Sequence, residues 1–177
     1  TPLREVLRRF KFGPMIGATV LALLAMVASA VTSAVAPTFL FQELGLTFAD
    51  YTRTLLPLML VFTLVAAPVS TRLISRAGAH YAYALSTLAL GAVWIAFGLA
   101  EPWWSARATL LLLVSVEAMA TVLCFSALYA LLMAHTDARV RATHFALFMM
   151  ALNLGRALSP GVDPDLLASL GYAGVWI

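Results

Sequence analysis

Two ionisable residues lie inside long apolar stretches of the sequence, and they are the first candidates for chemistry. Glu117 interrupts the apolar run 108–134, and Arg156 interrupts the run 142–162. A charge inside a membrane-spanning stretch is costly, so such a residue is by default a functional candidate. A carboxylate can take up a proton there, whereas an arginine keeps its charge and suits anion binding or control of a nearby carboxylate. The two residues therefore predict a charge relay or a substrate clamp.

The positions of these two residues along their runs predict that they lie near each other. At 1.5 Å per helical residue, Glu117 lies roughly 13 Å and Arg156 roughly 9 Å from the same membrane face. A short loop joins the two runs, so we expect the side chains to reach each other or to share one polar cavity. In the structural alternative, Arg156 extends to the outer interface and Glu117 makes a single interhelical hydrogen bond.

Further polar or adaptable side chains lie at helical spacing around these charges and on the first apolar run. Residues three or four apart share a helical face. On that basis we expect a substrate or proton pathway, and a cavity wall, to include Asn153, Thr121, Met149, Ser29, Thr32 and Ser33. The alternative for the asparagine and for the serine and threonine face is close packing between helices.

No catalytic residue, metal site or cofactor is predicted. Cys124 is the single cysteine, and the three histidines have no metal-ligand spacing. Phosphate-binding and other catalytic motifs are missing as well, which argues against an enzyme. His144 lies near one end of its apolar run, where we expect it to face water or lipid headgroups.

The composition places the chain in the membrane. Hydrophobic residues make up 63% and charged residues 11% of the sequence, against about 45–50% and about 25% in soluble domains. Polar residues are too few to cover a soluble core of this size. This excludes a soluble enzyme, a disordered tail and a nucleic-acid-binding domain.

The charges divide the chain into apolar runs that can cross a bilayer as helices. A span needs about 20 apolar residues, and the last run is too short for that. Since the chain also begins with Thr1, we expect it to be a piece of a longer polypeptide. The predicted transmembrane spans are 14–36, 54–71, 77–100, 108–134, 142–162 and an incomplete 166–177.

The basic residues predict the orientation. Eight of the ten basic residues outside the spans fall before the first span or in alternate loops, and five of the seven acids there fall on the other side. Because cytoplasmic loops carry the excess of Lys and Arg, the N-terminus is predicted to be cytoplasmic. We expect Trp103 and Trp104, which follow Pro102, to lie in the outer aromatic belt.

Six spans led by a basic cytoplasmic segment resemble one half of a major facilitator superfamily transporter. The loop from Thr71 to His80 resembles a worn copy of that superfamily's cytoplasmic motif, with Leu73, Arg76 and Gly78 in place. The stretch from Ala142 to Arg156 resembles the next-to-last helix of the AmpG-type muropeptide permeases, whose preceding helix also carries an early acid. The first span departs from that group because it contains no acid.

This resemblance implies an all-α membrane fold: a six-helix half of the superfamily bundle with its last helix truncated. It implies alternating-access transport of a small molecule across the bacterial inner membrane, coupled to protons as a symport. The implied partners are lipid and either a missing N-terminal six-helix half or a second copy. Spans one, two, four and five would line the cavity.

Other functional classes remain open at the level of sequence. The sparse polarity of the first span also suits a non-transporting scaffold or assembly factor of a pigment–protein complex. A small subunit of a larger membrane complex is a further alternative. An intramembrane enzyme is the weakest of these because no catalytic motif is present.

Overall fold

The computed structural model describes residues 12–136, 141–158 and 163–176, and all of the regular structure in these ranges is helical. A helix satisfies its own backbone hydrogen bonds, which a membrane interior requires because it offers no water. We number the five long helices α1 to α5. They are α1 (Phe12–Thr38), α2 (Leu56–Leu99), α3 (Arg107–Ala134), α4 (Arg141–Leu158) and α5 (Asp163–Trp176).

Shorter helical turns connect the first three long helices. A π-helical turn, Phe39–Glu43, continues α1 directly, and a 3₁₀ turn, Glu101–Trp103, joins α2 to α3. Between α1 and α2 the chain makes one α-helical turn, Phe48–Asp50, and a second π-helical turn, Tyr51–Leu55. We call residues 39–55 the α1–α2 connection. It contains enough helical structure to place its aromatic side chains at fixed positions.

Helix α2 is broken at Gly78 and folds back on itself. Gly78 has φ 79° and ψ 159°, a conformation essentially confined to glycine. Leu55, just before the helix, and Phe97, near its end, belong to one buried cluster. A straight helix would hold these two residues about 60 Å apart. The two limbs of α2, residues 56–77 and 79–99, are therefore antiparallel and correspond to the second and third predicted spans.

The first limb of α2 continues beyond its predicted end. The sequence placed a loop between residues 71 and 77, whereas the helix runs unbroken from Leu56 to the turn at Gly78. Pro68 removes one backbone bond but does not end the helix. The hydroxyl of Ser75 donates to the carbonyl of Arg72 (3.0 Å) inside this added stretch. Glycine is the first residue able to reverse the chain, so the turn forms there.

The other helix bounds differ from the predicted spans by a few residues. Helix α1 begins before residue 14 and continues into the π-helical turn, and α5 begins at Asp163 and is broken at Gly171 (φ 67°). Helix α4 is described to Leu158, and residues 159–162 of the predicted span lie outside the described residues. Within the described residues, two helical stretches are long and apolar enough to cross a membrane, Phe48–Leu99 and Arg107–Ala134, and a shorter apolar helix covers Ile16–Val27.

The described residues form three buried clusters at successive levels of the bundle, and these show how the first three long helices run. The first joins the early part of α1 to the end of α3 and the middle of α4. The second joins the end of α1 to the start of α3 and to both outer ends of α2. The third lies between them, around Leu90, Ala120 and Cys124. Helices α1 and α3 are therefore antiparallel, as the alternate crossings of a bilayer by the first and fourth predicted spans require.

The contact between α1 and α4 depends on small residues. Ala18, Ala22 and Ala151 are buried in this interface. A Cβ atom added to Gly155 of α4 would overlap the carbonyl oxygen of Leu23 and would lie 3.1 Å from Cβ of Met26. Small residues let helix backbones approach closely, which is the usual source of stability between helices in lipid. Glycine at position 155 is therefore required by the distance between these helices.

Two aromatic residues expected at an interface have different environments. Trp103 is 61% exposed, as an aromatic belt requires, but Trp104 is only 7% exposed. The indole N–H of Trp104 donates to the carbonyl of Phe97 (2.9 Å), and its ring packs edge-on against Phe39. Trp104 thus closes the end of α2 against the end of α1. Trp104 therefore packs between helices, and its ring does not face the surroundings of the bundle as that of Trp103 does.

Candidate functional site

A cavity of about 330 Å³ lies between α1, the α1–α2 connection, the first limb of α2 and α3. Its volume falls in the range of small-molecule sites, about 300–1,000 Å³. Apolar and aromatic side chains form most of its wall, with a few polar groups from α1 and α3. The lining residues are Thr32, Ser33, Ala36, Pro37, Leu40, Phe41, Phe48, Tyr51, Leu55, Met59, Val114 and Glu117.

Glu117 is half-buried in the wall of this cavity and has partners on two helices. Its carboxylate accepts a hydrogen bond from the hydroxyl of Thr121 (2.9 Å), one turn further along α3. The indole of Trp94, on the second limb of α2, lies beside the same carboxylate, although its buried N–H forms no hydrogen bond of good geometry. The predicted proximity of Glu117 and Thr121 is therefore present, and Trp94 is an additional neighbour.

The hydroxyl face of α1 meets the same cavity opposite Glu117. Thr32 and Ser33 both line it, and both hydroxyls donate to the carbonyl oxygen of Ser29, at 3.0 Å and 2.7 Å. Because the Ser33 hydroxyl hydrogen is used within the helix, its oxygen faces the cavity as an acceptor. Ser29 contributes its carbonyl to this arrangement and does not line the cavity. The structure thus brings Thr32, Ser33 and Glu117 to one site.

The predicted residues of α4 lie elsewhere. Asn153 and Arg156 are both exposed on one face of α4, and Met149 packs half-buried in the interface with α1. None of the three lines the cavity that contains Glu117. The close approach at Gly155 fixes the rotation of α4 against α1, and the next residue, Arg156, therefore points outward.

The expected meeting of Arg156 and Glu117 does not occur within the described residues. They form no ion pair and share no cavity, because α4 packs mainly on α1 and has little contact with α3. The short loop between α3 and α4 was the basis for that prediction. Helices α3 and α4 are consecutive in the sequence but do not pack closely against each other in the bundle.

Sequence reasoning missed the aromatic part of the site. Phe41, Phe48 and Tyr51 line the cavity from the α1–α2 connection, which the sequence analysis treated as a loop between spans. The rings of Phe41 and Tyr51 are 5.7 Å apart between centroids, and Phe48 is 74% exposed. The available signal was the density of aromatic residues between two spans, which is high for a connecting loop.

An ion pair and a helix cap hold the connection against α3 at the rim of the cavity. The hydroxyl of Thr47 donates to the Asp50 carboxylate (2.6 Å), the Asp50 N–H donates back (3.1 Å), and Arg107 of α3 lies 3.3 Å from the carboxylate. Hydrogen bonds from the side chain and backbone of Thr47, and the charge of Arg107, lower the pKa of Asp50. The residues between Thr47 and Tyr51, which include Phe48, are thereby tied to α3.

A comparison with known protein families matches residues 1–177 to the Major Facilitator Superfamily. The chain belongs to this superfamily. Its members are membrane transporters, so the chain is an integral membrane protein of a transporter family, and its helices form part of a superfamily bundle. No curated protein and no solved structure matches the chain. The resemblance to AmpG-type permeases is therefore not supported by a known relative.

The opposite end of this superfamily bundle carries two of the three histidines. The rings of His80 and His135 are 5.4 Å apart between centroids, beside a second cavity of about 260 Å³. Nδ1 of His135 lies 2.8 Å from the carbonyl oxygen of Leu131.

His144 is only 1% exposed, so the prediction that it faces water or headgroups is wrong. It lies on the side of α4 that packs into the bundle.

Proposed function

We propose that this chain belongs to a secondary active transporter that moves a small molecule across a bacterial inner membrane by alternating access, with Glu117 coupling transport to protons. The observation that carries the proposal is the position of the Glu117 carboxylate. It lies within a long apolar helix, it borders a cavity formed by α1, the α1–α2 connection, the first limb of α2 and α3, and it accepts a hydrogen bond from Thr121. Membrane proteins retain such a residue where it serves a pathway.

The physical basis of coupling is the change of charge in an apolar cavity. When Glu117 is ionised, the cavity wall carries a negative charge that must be solvated or paired. When it is protonated, the wall is neutral and the cavity can close around it at lower cost. A proton can therefore bias the equilibrium between outward-open and inward-open states, and the substrate biases it through its own contacts.

A second bundle is part of this proposal. Substrate sites in such transporters lie between two repeats, near the middle of the bilayer. The exposed polar side chains of Asn153 and Arg156 on α4 support a position at that interface. The facing bundle would be an N-terminal six-helix half or a second copy. The intact mass of the natural polypeptide distinguishes these, since a twelve-span chain needs roughly twice this mass by span arithmetic.

The orientation is proposed from charge. Eight of the ten basic residues outside the spans lie on one side of the predicted topology, which favours a cytoplasmic N-terminus. Cavity-lining residues such as Thr32 and Glu117 then lie nearer the outer face. Labelling of single cysteines placed at Arg53 and at Arg76, from outside intact cells, tests this assignment. We expect labelling at Arg53 and protection at Arg76.

Transport is tested in cells that express the natural full-length protein. A mixture of small molecules is supplied, and accumulated or depleted compounds are identified by mass spectrometry against an empty vector. We expect at least one compound to change, and we expect a protonophore and Glu117→Gln each to remove that change. Glu101→Gln, at an exposed acid outside the cavity, is the matched control and should transport normally. Full transport by Glu117→Gln would show that coupling does not use this carboxylate.

A further inference from the structure

We propose that the cavity at Glu117 binds an organic cation with an apolar body and a protonated amine, the ammonium group pairing with the Glu117 carboxylate. This inference names a substrate class for the proposed transport site and therefore rests on that function. The inference goes beyond the proposed function because neither superfamily membership nor proton coupling specifies the charge of the transported molecule. Three features of the cavity carry the argument.

The first feature is the charge of the wall. Among the described lining residues, Glu117 is the one with a carboxyl group, and none is Lys or Arg. Arg107, which lies at the rim, is paired with Asp50. An anionic ligand would have to approach this carboxylate without a compensating positive group. Desolvation makes such an unpaired charge costly, so the wall selects against anions.

The second feature is the direction of the hydrogen bonds. Thr121 uses its hydroxyl hydrogen to donate to Glu117, and Ser33 donates to the carbonyl of Ser29. The lining oxygens of Glu117 and Ser33 therefore present acceptors to the cavity. A ligand that supplies N–H donors can satisfy both, whereas a ligand rich in acceptors cannot. A primary ammonium provides three donors and the complementary charge.

The third feature is the apolar remainder of the wall. Phe41, Tyr51 and Phe48 present aromatic rings, and aliphatic side chains and Met59 cover most of the other surface. Aromatic faces attract cations and also bury an apolar ring. A highly polar ligand such as a sugar would leave its hydroxyl groups unpaired against this surface. The wall therefore fits a compact aromatic or alicyclic amine.

The test measures direct binding to the purified full-length protein in nanodiscs, with three probes of one shape. These are 1-naphthylmethylammonium, neutral 1-naphthylmethanol and anionic 1-naphthoate, followed by naphthalene fluorescence anisotropy. A charge-assisted hydrogen bond predicts that the ammonium binds at least about tenfold more tightly than the naphthoate. Glu117→Gln should weaken the ammonium by about the same factor and leave the alcohol nearly unchanged. Glu101→Gln should change neither.

Two results would overturn the inference. One is naphthoate binding as tightly as the ammonium to the wild-type protein, which needs no variant and so does not depend on folding of Glu117→Gln. The other is equal ammonium affinity in the wild type and in a folded Glu117→Gln protein. Failure of the proposed function is distinct from these. If the ammonium binds through Glu117 but no compound is transported, the ligand class stands and the transport proposal fails.

Discussion

Replacing Gly155 by alanine tests the close backbone contact between α1 and α4. The added Cβ would overlap the carbonyl oxygen of Leu23 and approach Cβ of Met26 to 3.1 Å. The obstructing atom belongs to a helix backbone, so it cannot move aside as a flexible side chain could. Helices α1 and α4 would have to separate, which would loosen the buried cluster around Phe148 and Leu152.

The expected loss of stability in Gly155→Ala follows from a comparison with a second glycine. Alanine is favoured over glycine in a helix by about 1 kcal/mol, and this gain applies to both positions. A Cβ at Gly91, on the second limb of α2, meets nothing within 4 Å. The difference between Gly155→Ala and Gly91→Ala therefore isolates the cost of overpacking, about 1–3 kcal/mol.

The assay is reversible unfolding of the full-length protein by sodium dodecyl sulfate, followed by tryptophan fluorescence. We expect Gly91→Ala to be as stable as the wild type or slightly more stable. We expect Gly155→Ala to be less stable than Gly91→Ala by the overpacking cost. Equal stability of the two variants would refute the reasoning, because it would mean that α1 and α4 are not in backbone contact at Gly155.

Three further predictions concern the ends of the helices. Trp104→Phe should lower the free energy of unfolding by about 1–3 kcal/mol, because the buried hydrogen bond from the Trp104 indole to the carbonyl of Phe97 is lost; Trp103→Phe, at an exposed ring, is the control and should have little effect in the same unfolding assay. Gly78→Ala should destabilise by about 1–3 kcal/mol through its positive φ, and unchanged stability would contradict the observed turn. Because the pKa of Asp50 is lowered from 3.8 in the folded state, its contribution is fully present above about pH 5 and is lost as the pH falls through the folded value. The stability difference between wild type and Asp50→Asn should therefore be constant near neutral pH and disappear in acid, and a difference that grows in acid would reverse the assignment.

The sequence was sufficient where a local rule decides the structure. The spacing of Glu117 and Thr121 predicts neighbours on one helical face, and their side chains are hydrogen-bonded. The apolar runs predict helices, because a backbone in lipid has no alternative within one segment. The reversal itself was misplaced by a few residues, because Gly78 lies just inside the third predicted span, 77–100, and only glycine readily adopts the conformation found there.

The sequence does not predict the structure where it depends on which helices pack against each other. Apolar residues that face lipid and apolar residues that face other helices are alike in hydropathy, so the pattern does not show which side of a membrane helix is buried. His144 and Arg156 illustrate this, since one is buried and the other exposed on the same helix. The close packing of α4 on α1 at Gly155 fixes which side of α4 faces the bundle. A rule that considers one helix alone cannot predict this packing.

The aromatic wall was missed for a different reason. Phe41, Phe48 and Tyr51 lie in a connection that hydropathy separates from the spans on either side. Their contribution depends on two π-helical turns and on the cap formed by Thr47 and Asp50. Each of the two turns and the cap spans only a few residues, and none of them produces a periodic pattern in the sequence.

The reversal at Gly78 also has a consequence for how the chain enters its membrane. Two apolar limbs joined by a turn, with Arg72 and Arg76 just before it, can insert as one helical hairpin. The positive charges would keep the turn on the side of synthesis, so the translocon would release both limbs into the bilayer together. Helix α3 could then dock against a hairpin that is already formed. The glycine that shapes the mature bundle would in this way also set the order of its biogenesis.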